Sequence, residues 1–214
     1  MFRHLAEKEI VFQKGDIIIS QGEKTKYLYF LESGSCYRSI ITDKGDNVIY
    51  EIKEAGYSID SLVGVLTAYN YAGESYFTFK ARTVCKCLKI SVKNFNKWAM
   101  ENSEHIKELV NLATEKSKDV REAFQAFQEG RVANRFCHIL LSCSQTIEGK
   151  LIINNKYTVT EMAAMLGVHQ VTVSRILHAL SEEKVLKRIR QGFLVLDYPK
   201  LYAYANKEKV LTYR

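Results

Sequence analysis

The sequence predicts an α+β chain: an N-terminal antiparallel β-roll, one long helix, and a C-terminal module of three helices closed by a β-ribbon. Three observations predict it. Short runs of β-branched and aromatic residues, punctuated by glycine, fill residues 9 to about 90. An apolar spacing of alternating fours and threes then runs from residue 106 to residue 127. Last, a Thr-x-x-Glu capping box at residue 158 opens a pair of short helices around one glycine, with a two-stranded pattern behind them.

In chain order the β-runs are Ile10–Phe12, Ile17–Ile19, Tyr27–Leu31, Cys36–Ile41, Val48–Ile52, Phe77–Ala81 and Val84–Ile90, with turns at Gly15, Gly22, Gly34, Gly45, Gly56 and Gly73. Strands this short and this evenly spaced suit a compact antiparallel roll or sandwich. At Ser91 the period changes. Ser91 caps a short helix through Met100, and Asn102 or Ser103 caps a longer one to about Gln128. On the longer helix Ile106, Val110, Ala113, Ser117, Val120, Phe124 and Phe127 fall on the a and d positions of three heptads, the seam of a helix paired with a second copy. Ordinary amphipathic packing on its own domain is the alternative. Gly130 ends the helix. Beyond it come a helix over Arg135–Ser144, a helix from the Thr158 cap to Gly167, a helix from about His169 to Glu182, and a hairpin of Val185–Arg190 and Phe193–Leu196 turning at Gln191-Gly192. The expected domains are residues 1–100, the dimerisation helix 101–130, and residues 131–214.

Hydrophobic residues make up 47% of the 214 and charged ones 26%, enough apolar surface to exclude disorder for most of the chain. No apolar run approaches the roughly 20 residues of a membrane span, and Met1 to Asp16 carries no apolar leader, so a cytoplasmic location is expected. The five cysteines are odd in number and sparse, which favours free thiols over a disulfide framework. The single proline, Pro199, leaves no room for a proline-rich linker. Of the net charge of +7, residues 1–100 contribute +3, residues 101–130 contribute −3, and residues 131–214 contribute +7. The basic excess therefore sits in the C-terminal module, pointing first to nucleic acid as a partner.

The segment Thr160–Leu180 is the most specific signal. A helix-turn-helix needs a small residue where the helices cross, a residue tolerant of positive φ in the turn, and an apolar grip between helices. Ala163, Gly167 and the set Met162, Leu166, Val168, Val173 and Ile176 supply these in turn. What is left for solvent on the second helix of the motif is His169, Gln170, Val171, Thr172, Ser174, Arg175 and His178, groups able to read a major groove. Double-stranded DNA is the expected partner.

With these residues in place the chain resembles the CRP/FNR family of bacterial transcription regulators along nearly its whole length. The resemblance rests on Lys14-Gly15-Asp16-Ile17-Ile18, Gly22-Glu23, Tyr27-Leu28-Tyr29-Phe30-Leu31, Ser33-Gly34 and Lys80-Ala81-Arg82-Thr83-Val84-Cys85 in the roll. In the helix-turn-helix it rests on the run from Gly167 to Leu177. It implies a homodimer whose cyclic-nucleotide-binding-like roll senses a signal and whose long helix relays it to two winged helix-turn-helix domains. RNA polymerase is an implied partner if the protein activates. Arg175 matches the family's guanine-reading arginine, Gln170 and Ser174 other base or phosphate positions, and Thr172 a phosphate position. Where many members carry a glutamate this chain has Val171, which can pack on a thymine methyl but accepts no hydrogen bond. An A·T-richer half-site is therefore expected.

Family members that bind a cyclic nucleotide hold its ribose with Gly-Glu and its phosphate with Arg-Ser. By the resemblance, Ile59-Asp60 and Ser75-Tyr76 stand at those places here, the second after an insertion of about five residues. Val120 and Arg121 replace the long-helix Thr-Ser pair. Without the phosphate arginine, cyclic AMP is not the expected effector. Tyr69, Tyr71 and Tyr76 with Arg121 suit a small organic acid or aromatic molecule instead, unless they merely cover the roll. An iron–sulfur site is not expected, since the first cysteine is Cys36, and no histidine spacing supports haem. Cys85 and Cys87 share one face of a strand; Cys137 and Cys143 lie six apart on a helix, and core packing accounts for all four. The alternative on the same fold is a thiol-redox-responsive or ligand-independent regulator. No nucleophile elbow, phosphate-cradling glycine loop or metal-spaced cluster is present, so neither an enzyme nor a cofactor nor a metal is expected.

Overall fold

The computed structural model describes residues 2–43, 45, 47–69, 72–129 and 131–213, and for residue 119 and residues 122–129 the backbone alone. The chain divides into two compact units, Met1–Asp119 and Val120–Arg214. In the first, eight strands form: β1 (Ala6–Phe12), β2 (Ile17–Ile19), β3 (Tyr27–Ser33), β4 (Ser35–Ile41), β5 (Asn47–Glu54), β6 (Leu62–Val63), β7 (Thr78–Ala81) and β8 (Cys85–Ser91). They make two antiparallel four-stranded sheets, ordered β1-β8-β3-β6 and β2-β7-β4-β5.

Alternation along β3 and β8 explains how the sheets stack. Successive side chains point to opposite faces, so Leu28 and Phe30 on β3, with Leu88 and Ile90 on β8, look one way into a core shared with Phe2, Leu62 and the helices that follow. Leu31 on β3 and Cys85 and Cys87 on β8 look the other way, onto Ile18, Ile19, Cys36 and Phe79 of the second sheet. The centre of the first sheet, β3 and β8, is thus buried on both faces. Each fully buried Leu, Ile or Phe contributes about 1.5–3 kcal/mol, which makes this layer the stabilising centre of the unit.

Ser91 caps α1 (Val92–Glu101), its side chain accepting from Asn94 N at 3.3 Å. Phe95, Trp98 and Ala99 then fall on one face and are buried. Next, α2 (Ser103–Glu129) opens where Asn102 Oδ1 accepts from Glu104 N at 3.0 Å. His105 stacks on Trp98 with centroids 3.8 Å apart, and its Nδ1 lies 2.9 Å from Trp98 O, which requires the proton on that nitrogen. The same helix face continues through Leu109 and the buried Leu112.

The second unit contains α3 (Val132–Ser142), β9 (Ser144–Ile147), β10 (Lys150–Asn154), α4 (Val159–Leu166), α5 (Gln170–Glu182), β11 (Leu186–Ile189), β12 (Gly192–Val195) and α6 (Tyr198–Ala205). One core joins α3, α4, α5, the sheet and α6, centred on Phe136, Leu140, Val173, Ile176, Leu180, Val185 and Leu201.

The structure departs from the sequence reading in several places. Strand β1 begins at Ala6 rather than Ile10, because β8 pairs with Ala6 and Lys8–Phe12 and supplies hydrogen bonds to a polar stretch. Helix α3 spans Val132–Ser142 instead of Arg135–Ser144, and Ser144 starts a strand. The ribbon is a four-stranded sheet, ordered β11-β12-β10-β9. Its extra hairpin turns through Glu148 (φ 49°) and Gly149 (φ 73°), the paired positive φ values that close a two-residue loop. The other hairpin turns at Arg190-Gln191, with Gly192 already paired to Ile189. Helix α6, unforeseen, is capped by Asp197 and carries Pro199 in its first turn. Among the described residues no helix is long and apolar enough to cross a membrane.

Candidate nucleic-acid interface and effector cavity

The reading helix is placed by its neighbour. Thr158 Oγ1 accepts from Glu161 N at 3.2 Å while the Glu161 carboxylate accepts from Thr158 N at 2.7 Å, so both orphan amides at the start of α4 are satisfied. Gly167 then adopts φ 67°, ψ 39°, and its N–H bonds back to Ala164 O, ending α4 in a left-handed turn that a side chain would strain. Arg135 donates to Leu166 O at 3.0 Å and holds that turn against α3. Beneath α5, Met162, Ala163 and Leu166 of α4 meet the fully buried Val173, Ile176 and Leu180. The expected grip is realised, with Val168 packed at its edge.

On the opposite face His169, Gln170, Val171, Ser174, Arg175 and His178 are exposed, and Thr172 is half-buried. His169 is the N-cap residue of α5. One helical face therefore offers a guanidinium, an amide, hydroxyls, two imidazoles and one compact apolar group, 58% exposed at Val171. Replacing Thr158 by alanine, which removes the cap beneath this platform, is expected to lower the stability of the second unit by about 1 kcal/mol. Denaturant titration of the variant checks it, and an unchanged midpoint would contradict the role given to the cap.

The described side chains of the helix seam are exposed. Ile106, Val110 and Val120 are 40%, 57% and 48% exposed, and Ala113 and Ser117 are exposed as well. The roll-facing stripe of His105, Leu109, Leu112 and Lys116 lies one residue, about 100°, round the helix. The side chains of Phe124 and Phe127 lie outside the described residues.

A cavity of about 90 Å³ opens between the roll and α2. Of the six residues expected around an effector, Asp60 and Tyr76 line it. The other four do not. Ile59 is buried in the core beneath α1. Ser75 is also buried, its hydroxyl donating to Phe77 O at 2.6 Å and accepting from Phe77 N at 3.3 Å. Val120 and Arg121 are exposed, and Arg121 lies five residues past Lys116, about 140° further round the helix. Tyr69 packs on Phe95 instead, and Tyr71 lies outside the described residues.

The cations at the cavity are Arg38, Lys53 and Lys116, none of which sequence reasoning singled out. Glu51 is their hub: its carboxylate lies 2.9 Å from Arg38, 2.6 Å from Lys116 and 3.9 Å from Lys53. Asp60 lies 3.0 Å from Lys53 and 3.2 Å from Lys116. Three cations against two carboxylates leave a net positive charge beside lining residues that include the apolar Leu62, Val65, Phe79 and Leu112. The Arg38 guanidinium also lies 4.2 Å over the Phe77 ring, and its buried Nε has no hydrogen-bond partner among the described residues. A sequence signal existed. Ile49, Glu51 and Lys53 share one face of β5, so alternation puts two charged residues beside a core position. Arg38 stands directly opposite Glu51 in the β4–β5 ladder.

Burial disfavours the charged form of Asp60, but the charges and hydrogen bonds of Lys53 and Lys116 together outweigh it and hold the carboxyl below 3.8. Lys116 is shifted the other way: Glu51 and Asp60 overcome its desolvation and raise its pKa. A carboxyl depressed by folding adds stability that is complete above the ordinary carboxylate range and lost as pH falls through its folded value. Stability of the first unit should therefore fall below about pH 4, and Asp60→Asn should flatten that acid limb in an unfolding series. An identical limb in the variant would contradict the pairing.

All five cysteines are buried free thiols. Desolvation pushes Cys36 and Cys137 up to about 12 and raises Cys85, Cys87 and Cys143, so reactive thiolate is scarce at neutral pH. Among the described residues no group of three or more His, Cys, Asp or Glu could hold a metal ion.

Comparison with known proteins matches residues 9–102 to the cyclic nucleotide-binding domain and residues 130–204 to the Crp-like helix-turn-helix domain. The cAMP-activated global transcriptional regulator CRP of Salmonella typhimurium is 23% identical over 172 residues, covering 79% of this chain and 80% of that protein. Among solved structures, a mutant of CooA from Carboxydothermus hydrogenoformans aligns with a TM-score of 0.78 at 17% identity, covering 92% of this chain and 87% of that one. FixK2 from Bradyrhizobium japonicum aligns at 0.74 and 15% identity, covering 92% and 96%. At these identities the likeness to the two structures establishes a shared fold.

Proposed function

Because the chain belongs to the CRP/FNR family of transcription regulators, we propose that it is a dimeric DNA reader whose affinity is set by a small organic anion at the cavity between its roll and α2. The observation that carries the DNA-reading part is the exposed face of α5, from Gln170 to His178, on a helix locked by the Gly167 turn. Arg175 reads a guanine, Gln170 and Ser174 contact neighbouring base edges or phosphates, and Val171 packs on a thymine methyl. The exposed Ile106–Val120 seam pairs two copies, placing two reading helices on a pseudo-palindrome. Where the protein activates, RNA polymerase is the further partner.

The net positive charge of the cavity and the unpartnered Arg38 Nε support an anionic effector. Cyclic AMP fits poorly, because Lys53 and Lys116 are already bound to Glu51 and Asp60 and Ser75 is turned inward. Aromatic acids tested by thermal shift should stabilise the protein, and Arg38→Ala should reduce the shift.

The decisive experiment is selection of random duplex DNA on the purified, reduced protein, with and without those acids. Two half-sites about one helical turn apart are expected, A·T-rich at the position facing Val171. Recovery of the glutamate-type half-site would overturn the reading of Val171. Failure to enrich any sequence under either condition would overturn the function.

A further inference from the structure

The second unit holds a larger cavity than the first, about 270 Å³ against about 90 Å³. It lies under the hairpin of β11 and β12, beside the start of α4. Leu140, Met162 and Phe193 give it apolar walls. Arg188 is the one cation among its lining residues, and no carboxylate is among them. The guanidinium lies 4.7 Å over the Phe193 ring. A guanidinium carried over a ring can still offer its N–H donors to an anion. Two other polar groups at the cavity are engaged: Thr158 Oγ1 donates to Glu161 at 3.0 Å, and Asn154 Oδ1 accepts from Lys156 N at 3.0 Å. Charge recognition therefore falls to Arg188.

We propose that this cavity is a second small-molecule site, separate from the effector cavity, which takes an aromatic carboxylate or sulfonate with its ring against Phe193 and its anion on Arg188. Occupancy bears on DNA reading through position. Asn155 lines the cavity and ties down the hairpin tip, its N–H bonding to Gln191 O at 3.0 Å and its Nδ2 to Arg190 O at 3.3 Å. Thr158 and Val159, which begin the first helix of the helix-turn-helix, line it too. A ligand seated there sets the spacing between hairpin and helix.

The test uses the full chain and 1-anilinonaphthalene-8-sulfonate, an aromatic sulfonate whose fluorescence rises in an apolar site. Saturable binding is expected, with one site per chain that Arg38→Ala leaves in place. Arg188→Ala, at an exposed position, should weaken it roughly tenfold, the fold-change of one lost charge-assisted hydrogen bond. Val159→Trp, which fills the cavity, should abolish it in a chain whose circular dichroism and melting show it folded. Should the tryptophan variant not fold, Arg188→Ala decides alone. Binding unaffected by Arg188→Ala would overturn the proposal, as would binding lost in Arg38→Ala, which would place the dye in the first unit.

Discussion

Changing Arg175 to alanine is expected to lower affinity for the selected DNA site by about 1–3 kcal/mol, a loss of five- to 150-fold, and to erase preference at one base pair of each half-site. The size follows from geometry. A guanidinium offers two parallel donors to the paired acceptors on a guanine edge, and no other exposed side chain on α5 can replace both. Arg175→Lys should recover charge attraction without restoring the base preference. A change confined to phosphates would behave differently, weakening all sequences alike and reducing the salt slope. Fluorescence anisotropy on single-base variants of the site separates the two. Unchanged preference in Arg175→Ala would remove this residue from the reading face.

Replacing Glu51 by alanine is expected to be the most damaging single change in the sensor unit. Its carboxylate is the shared partner of Arg38 and Lys116 and lies within 3.9 Å of Lys53, whose side chain is only 6% exposed. Removing it leaves three cations with Asp60 alone. An uncompensated buried charge costs about 3–5 kcal/mol, so a melting temperature lower by roughly 10 °C or more is expected. Removing charge on both sides should be gentler. Glu51→Met combined with Lys116→Met takes a carboxylate and a cation out together, which often recovers much of the loss. Calorimetry of the single and double variants tests this, and a single variant within about 0.5 kcal/mol of the parent would show the network to be solvated in practice.

Much of the second unit was legible because its signals are local. The Thr158–Glu161 box, Gly167 and the apolar set from Met162 to Ile176 lie within twenty residues and act on the same turn. The cavity beside α2 was not legible in that way. Its cations come from β4, β5 and α2, and only the sheet register brings Arg38 opposite Glu51. Analogy with the nucleotide-binding pattern pointed instead to Ile59 and Ser75, which packing buries, and to Val120 and Arg121, which are exposed at the start of the second unit. Helix α6 could have been found from Asp197 and Pro199, a cap followed by a proline in the first turn. Strand β9 could not, since Gln145, Thr146 and Ile147 are all exposed and no face is distinguished.

That blandness has a use. β9 and β11 are the outer strands of the C-terminal sheet, and an outer strand with open backbone groups is a template on which another chain can add. One edge here is built from Ser144, Gln145 and Thr146, and the other carries Lys187 and Arg188. Neither offers a flat apolar ribbon, so β-addition between crowded copies gains little and meets charge repulsion on the β11 side. Under the proposed pairing, self-association falls to the exposed seam of α2, where it would fix a defined pair instead of an open-ended aggregate.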